Sequence, residues 1–161
     1  MRKIVSFLIV ICLIVGLISC EESNSLEKVN AIKTVSERVS DLNKTISEIK
    51  SFEDKDALSR DEKQYLEYLY PIREDESYVV GYRFFDAVCF EIGITTYFNN
   101  KGDAKKVRRS ILHDLKENSD FEASIKEKDF YQWRESGSTT KVELNTQGIE
   151  RGIIALRIIS N

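Results

Sequence analysis

Hydrophobic residues recur every three or four positions between residues 26 and 52, and polar residues fill most of the other positions. Such spacing places one apolar stripe on a helix. The stripe consists of Ile32, Val35, Val39, Leu42, Ile46 and Ile49. The pattern therefore predicts a helix over residues 26–52, which either packs within its own chain or forms a coiled coil. Fewer than three heptads are present, and this favours packing within the chain.

A second helix is predicted over residues 60–70, after a short polar break. Ser59 and Glu62 have the spacing of a capping box, and Pro71 would end the helix because the residue before a proline avoids the helical conformation. The apolar side would consist of Tyr65, Leu66 and Leu69. Two helices joined by a short break predict an antiparallel helical hairpin over residues 26–70.

The hydrophobic period then changes to two, which is typical of strands. Residues 78–85 form one such segment, and side chains alternate in the same way over residues 88–98. Only Asp86 and Ala87 separate the two segments. We therefore expect the segments to pair as a hairpin.

The last third of the chain predicts one helix followed by three strands. Asp103 is a candidate cap for a helix that ends near Asn118 and has an apolar face of Val107, Ile111, Leu112 and Leu115. Strands are predicted at 130–134, 140–145 and 152–159. Residues 26–161 are thus predicted to be a single α+β domain. Its N-terminal helical hairpin precedes an antiparallel sheet of two strands, a helix and three more strands over residues 78–161, with helices on one face.

The first twenty residues have the pattern of a secretory signal sequence. Arg2 and Lys3 precede an apolar run of about 15 residues, which is shorter than the roughly 20 residues of a membrane-spanning helix. Polar residues begin abruptly at Glu21. Both features favour a signal peptide over a transmembrane anchor.

The sequence Leu17-Ile18-Ser19-Cys20 resembles the lipobox of bacterial lipoproteins. The resemblance implies that a lipid is attached to the sulfur of Cys20 and that signal peptidase II cleaves between Ser19 and Cys20. Residues 1–19 would be the signal peptide, and residues 20–25 the lipidated cysteine and its tether. Several acyl chains, at roughly 0.8 kcal/mol per buried CH₂, anchor a protein stably. We therefore expect a bacterial cell-envelope protein held by lipid, in either the inner or the outer membrane.

The composition fits a globular, acidic protein. The chain has 24 Lys+Arg and 27 Asp+Glu, for a net charge of −3, and removal of residues 1–19 leaves 22 basic residues and a net charge of −5. An acidic envelope protein is not expected to bind nucleic acid. Three cysteines are too few for a disulfide scaffold, and one histidine excludes a multi-histidine metal site.

No catalytic residue and no cofactor are predicted. His113 lies in the predicted middle helix without a glycine-framed serine elsewhere in the chain, and we expect it at the surface. Cys89 lies in the middle of a predicted strand with no basic neighbour to lower the pKa of its thiol. We expect that thiol to be buried and unreactive.

Carboxylates are abundant but lack the pattern of a metal site. Neither acidic cluster, at 54–62 or at 74–76, contains the glycine of a calcium loop. An alternative hypothesis, that the protein is a carboxylate-based hydrolase, needs two of these groups at roughly 5–9.5 Å in a cleft. The candidates are Asp61, Glu62, Glu74 and Asp75.

Two groups of residues are candidate surfaces. The basic cluster at 105–109 faces either solvent or lipid headgroups. Five tyrosines lie close together in sequence and serve either as core or as a binding face. The tyrosines are Tyr65, Tyr68, Tyr70, Tyr78 and Tyr82, of which Tyr65, Tyr68 and Tyr70 form the candidate partner surface.

These observations predict a lipid-anchored envelope protein that acts as a non-enzymatic binding or scaffolding module. Its expected partners are the membrane, through the lipid on Cys20, and an envelope protein. Two alternatives stay open: an inhibitor or immunity-type protein, and a carboxylate-based hydrolase or carbohydrate-binding protein.

Overall fold

The structure, a computed structural model, describes residues 33–160. Its helices are α1 (Val35–Val39), α2 (Ile46–Phe52) and α3 (Lys101–Glu117), with 3₁₀ turns at Lys55–Ala57 and Ile149–Arg151. Its strands are β1 (Leu58–Glu62), β2 (Tyr65–Arg73), β3 (Glu76–Phe85), β4 (Val88–Tyr97), β5 (Phe121–Lys126), β6 (Phe130–Glu135), β7 (Lys141–Asn145) and β8 (Ile153–Ile159). Within the described range no helix is both long enough and apolar enough to span a membrane.

All eight strands belong to one antiparallel sheet, in the order β1-β2-β3-β4-β8-β7-β6-β5. Each half of the sheet is a four-stranded meander that follows a helical segment in the chain. The two halves meet where β4 pairs with β8, over seven residue pairs from Glu91 with Ile159 to Tyr97 with Ile153. The order of elements therefore repeats, although no repeat is evident in the sequence.

The predicted N-terminal helical hairpin is wrong, and the chain is mostly a single antiparallel sheet. Residues 60–70, predicted as a helix, form most of β1 and β2, which pair through a tight turn after Glu62. Alternation of Leu66 and Tyr68 on one face outweighs the helical spacing, because tyrosine and alternating apolar residues suit a strand. Pro71 is tolerated in β2 because β1 pairs only as far as Tyr68, so Pro71 lies at an edge.

The helix predicted over residues 26–52 is interrupted. Its first part, residues 26–32, lies outside the described residues, and the remainder forms α1 and α2, which are too short for a coiled-coil seam. Thr34 and Thr45 each cap one helix by accepting a backbone hydrogen bond from the residue three positions later. Asn43 has a φ of 64° in the turn between the two helices, and this turn breaks the stripe.

Other predicted elements are confirmed. The hairpin of β3 and β4 forms, and Asp86 and Ala87 make its turn with positive φ values of 49° and 65°. The middle helix and the last three strands also form near their predicted bounds, although Asn100, not Asp103, caps α3. Strand β5 was not predicted, so three strands after the helix become four.

The sheet has one covered face and one open face. Helix α3 contacts β8, β5 and α1, and thereby covers one face. The covered face contains most of the buried apolar strand residues, which are Leu66, Tyr68, Tyr78, Val80, Tyr82, Ile92, Ile94, Leu144, Val142, Ile154, Leu156 and Ile158. The open face carries the intervening residues and lies opposite all three helices.

Candidate functional site

A cavity of about 580 Å³ lies between α3, the start of α1 and the covered face of the sheet. Pockets of 300–1,000 Å³ are the size that takes a small organic ligand. The apolar lining comes from all three sides. It consists of Val35, Tyr78, Ile94, Val107, Ile111, Ile154 and Leu156.

The floor of the cavity follows directly from the strand register. Tyr78 of β3 is paired with Thr96 of β4, and Thr96 is paired with Ile154 of β8, so the three side chains form a row across the covered face. Helix α3 places Val107 and Ile111 above this row, because residues four apart lie on the same side of a helix. The two halves of the sheet therefore both contribute to the cavity.

Thr96 is the one polar side chain of that row without a hydrogen bond. The residue is 3% exposed, and its Oγ1 atom has no partner among the described residues. An unpaired buried hydroxyl costs roughly 1–3 kcal/mol. Thr96 thus offers a hydrogen bond to a molecule inside the cavity.

A fixed carboxylate lies at the rim of the cavity, on α3. The hydroxyl of Ser36 donates to both oxygens of Asp114, at 3.3 Å and 3.2 Å. The side-chain amide of Asn118 donates in turn to the Ser36 oxygen at 3.1 Å. Asp114 is half-buried and, within the described residues, takes part in no ion pair.

The other ionisable groups of the rim are already engaged or exposed. Lys33 donates to both carboxylate oxygens of Asp41, at 2.7 Å and 2.9 Å, and its ammonium lies 3.6 Å from the centre of the Phe52 ring. His113 is 75% exposed at its side chain and lies 3.8 Å from Glu117. Among the rim charges, Asp114 is therefore the one that is held in place and has no counter-ion within residues 33–160.

A buried polar cluster lies behind the cavity and joins α1 and α2 to the sheet. Arg38, which is 1% exposed, donates through Nη1 to Glu53, to Tyr82 and, at 3.4 Å, to Asp41. The Tyr82 hydroxyl donates to Glu53 Oε1 at 2.5 Å, and the Tyr70 hydroxyl donates to Glu53 Oε2. The carboxylate of Glu53 is therefore bound on both oxygens.

The surroundings of this cluster determine its charge state. Burial opposes the charge of Arg38, but the oxygens of Tyr82 and Glu53 outweigh that effect and raise the pKa of the guanidinium. Burial raises the pKa of Tyr82 and of Tyr78 as well. Arg38 is thus a permanent buried cation, and the tyrosines stay neutral donors.

The structure does not bring the predicted partner-surface tyrosines together. Tyr68 is 1% exposed and packs edge to face against Tyr82, with ring centres 6.1 Å apart. Tyr70 is half-buried on the same covered face. Tyr65 lies on the open face, over Gly81, where an added Cβ would be 2.5 Å from the Tyr65 hydroxyl. Burial raises the pKa of Tyr65 and of Tyr68 to about 12.

The remaining predicted residues occupy separate places. Cys89 is fully buried, and burial raises the pKa of its thiol to about 12, as expected for an unreactive thiol. His113 is at the surface, also as expected. Ser19 and Cys20 lie outside the described residues.

The candidate carboxylates do not form a pair in the cavity. Asp61 forms an ion pair with Lys50, and Glu62 forms one with Arg60. Both carboxylates lie on β1, the exposed edge strand. The other two candidates are exposed in the turn between β2 and β3, and none of the four lines the cavity. Over residues 33–160, no group of three His, Cys, Asp or Glu side chains could hold a metal ion.

The open face carries a row of charges near its centre. Glu91 is 6% exposed. Its carboxylate oxygens lie 2.5 Å from Nη2 of Arg157 and 3.3 Å from Nη1 of Arg83. Glu143 lies 3.7 Å from Arg157 on the other side. The row is therefore internally neutralised.

Arg38 is among the residues around the candidate site that the sequence does not single out. It lies three residues after Val35 and four before Leu42, so a charged side chain on the apolar stripe was the available signal. Thr96 and Asp114 carried no comparable signal. Comparison with family models, with curated proteins and with solved structures gives no match for this chain.

Proposed function

We propose that the chain is a lipid-anchored protein of the bacterial cell envelope that binds a small, mostly apolar ligand in the cavity beneath α3, without catalysing a reaction. One observation carries the binding part of the proposal: a cavity of about 580 Å³ contains a buried hydroxyl, that of Thr96, which has no partner in the part of the chain that the structure describes. Anchoring is supported by the lipobox resemblance at residues 17–20.

The lining of the cavity supports ligand binding more than it supports chemistry. The wall is mainly aliphatic, and each buried CH₂ of a ligand contributes roughly 0.8 kcal/mol. Ser110 and His113 both line it, but the exposed imidazole has no hydrogen bond to a hydroxyl in the described part of the chain. A serine nucleophile needs a base within hydrogen-bond reach.

Replacing Cys20 by serine is expected to release the protein from the membrane. Serine has no thiol to carry the lipid, and signal peptidase II acts on the lipidated cysteine. Membrane fractionation of cells and the intact mass of the protein measure the outcome. Cys89→Ser is the matched control, because it removes the other thiol of the mature chain and should leave the protein membrane-bound. Unchanged processing and partitioning of Cys20→Ser would contradict the anchoring proposal.

Filling the cavity is expected to weaken ligand binding strongly. The neutral probe is 2-phenylethanol, titrated calorimetrically into the full chain in lipid nanodiscs, with protein-free nanodiscs as blank. At roughly 0.5 kcal/mol per non-hydrogen atom, a ligand of this size dissociates at about 0.1–1 mM. Ile111→Trp places a large side chain in the cavity and should weaken binding at least about tenfold.

Arg109→Trp provides the matched control for that experiment. It adds the same side chain to the same helix, but at an exposed position that does not line the cavity. Binding by this variant should equal that of the unmodified protein. If both tryptophan variants bind 2-phenylethanol equally, or if no charged or neutral probe of this size binds, the cavity is not a ligand site.

A further inference from the structure

The charges at the rim of the cavity indicate which class of apolar ligand it selects. Besides Tyr78, which stays neutral, four ionisable side chains line the cavity: Lys33, His113, Asp114 and Glu117. The partners that these side chains already have decide the selection, because only a charge without a partner selects the charge of a ligand.

The positive charge at the rim is not available to an anionic ligand. Both carboxylate oxygens of Asp41 accept hydrogen bonds from the Lys33 ammonium, and the Phe52 ring lies on the same ammonium. A ligand carboxylate would have to displace a buried carboxylate, since Asp41 is fully buried. Breaking such a buried pair is costly.

The negative charge of Asp114 is available and is held in position. Its two oxygens accept from the Ser36 hydroxyl, and Ser36 is held by Asn118, so the carboxylate is oriented before any ligand arrives. The Ser36 hydroxyl is neutral and does not cancel the charge of Asp114. No Lys or Arg of the described residues pairs with Asp114. A protonated amine would form a charge-assisted hydrogen bond there.

We infer that the cavity selects a protonated amine carried on an apolar body, with the ammonium at Asp114 and the apolar part against the aliphatic wall. This inference rests on the cavity being the ligand site proposed above. Thr96 is an independent sign that the cavity is built for a molecule with a hydrogen-bonding group, because no described residue bonds to its buried hydroxyl. Glu117 contributes less to selection, since its side chain is 63% exposed.

Three probes of nearly equal size test the inference: 2-phenylethylamine, 2-phenylethanol and 3-phenylpropanoate, each titrated at pH 7 into the full chain in nanodiscs of zwitterionic lipid. The amine is expected to bind about tenfold more tightly than the alcohol, and the carboxylate more weakly than the alcohol. Protein-free nanodiscs give the blank for each probe.

Two variants assign the preference to one side chain. Asp114→Asn keeps the shape of the rim and should bring amine affinity down to that of the alcohol, with the alcohol affinity unchanged. Glu117→Gln removes the same charge from the same helix, and should change amine affinity by less than about threefold. Thermal unfolding of each variant shows that the fold is retained.

The possible failures are distinguishable. If the alcohol binds but the amine binds no more tightly, or if Asp114→Asn keeps the preference, the amine inference is wrong and the ligand site stands. If Glu117→Gln abolishes the preference as fully as Asp114→Asn does, general surface charge and not Asp114 selects the ligand, which also overturns the inference. If none of the three probes binds, the proposed ligand site fails, and the inference fails with it.

Discussion

Replacing Arg38 by alanine is expected to lower the free energy of unfolding by about 3–5 kcal/mol. The cause is the charge that stays behind: Glu53 is 8% exposed and would lose the one cation bound to it in the described part of the chain. Chemical denaturation followed by the fluorescence of Trp133 measures the change, because Trp133 is the single tryptophan and is buried.

The expected loss comes from an unpaired charge and not from a missing contact. A buried ion pair gives little net stability, since both charges have lost their water. Removal of one partner leaves the full desolvation cost of the other. Arg38→Ala combined with Glu53→Gln should therefore recover part of the stability lost in Arg38→Ala alone.

Arg60→Ala is the matched control for Arg38→Ala. Arg60 also pairs with a glutamate, at 2.7 Å, but both side chains are more than half exposed to solvent. Surface pairs of this kind contribute little, so the midpoint of unfolding should not change measurably. Equal effects of the two substitutions would show that burial of the Arg38 cluster is not what stabilises the fold.

The Arg38 cluster also links stability to the proposed ligand site. Arg38 lies on α1, one turn after Val35, which lines the cavity, and the cluster includes Tyr82, which lies on β3 as the cavity residue Tyr78 does. Tyr78, which lines the cavity, is also close enough to Arg38 to alter the pKa of both groups. Loosening the cluster should therefore weaken ligand binding as well, by displacing α1 from the cavity.

Local sequence signals located some elements and misplaced others. The capping-box spacing at Ser59 and Glu62 predicts a helix start, yet these residues belong to β1. The same spacing at Thr34–Glu37 and Thr45–Glu48 is a true capping box in both cases. The capping-box spacing begins a helix only where the same residues do not pair as a strand instead. Residues 58–62 pair with β2 and therefore form a strand.

The alternating segments were easier to predict because one face of each is buried. Residues 78–85 and 88–98 alternate clearly and form β3 and β4. Strand β5 was missed because only Phe121 of its six residues is buried, so no alternation exists to be found. The exposed edge strand β5 forms because it pairs with β6. No pattern within residues 121–126 indicates that pairing.

The candidate site could not be predicted for a related reason. Ser36 and Asp114 are 78 residues apart in sequence, and the cavity needs α1, α3 and both halves of the sheet. Neither residue is unusual for a helix. Their chemistry becomes visible only once β4 and β8 are paired and α3 lies across them.

That central pairing leads to a second large expected effect, at Gly152. Gly152 has a φ of +77°, and a Cβ added there would lie 1.9 Å from the carbonyl oxygen of Phe98. The Phe98 amide also donates to the Gly152 carbonyl at 2.9 Å, so the end of β4 and the start of β8 are in backbone contact. Left-handed strain alone costs about 1–2 kcal/mol, and the clash of the added Cβ with Phe98 adds to this cost. Gly152→Ala should therefore lower the free energy of unfolding by more than about 3 kcal/mol.

Gly137→Ala separates the two causes. Gly137 also has a positive φ, +72°, but an added Cβ there meets nothing within 4 Å. Its substitution should therefore cost only the conformational part, about 1–2 kcal/mol, in the same denaturation experiment. The difference between the two alanine variants measures how tightly β4 and β8 are held together where the halves of the sheet meet. Because the cavity floor spans these two strands, Gly152→Ala should also weaken the binding of 2-phenylethanol, whereas Gly137→Ala should leave that binding unchanged. Equal losses of stability in the two variants would mean that the contact with Phe98 relaxes freely, and would contradict the prediction.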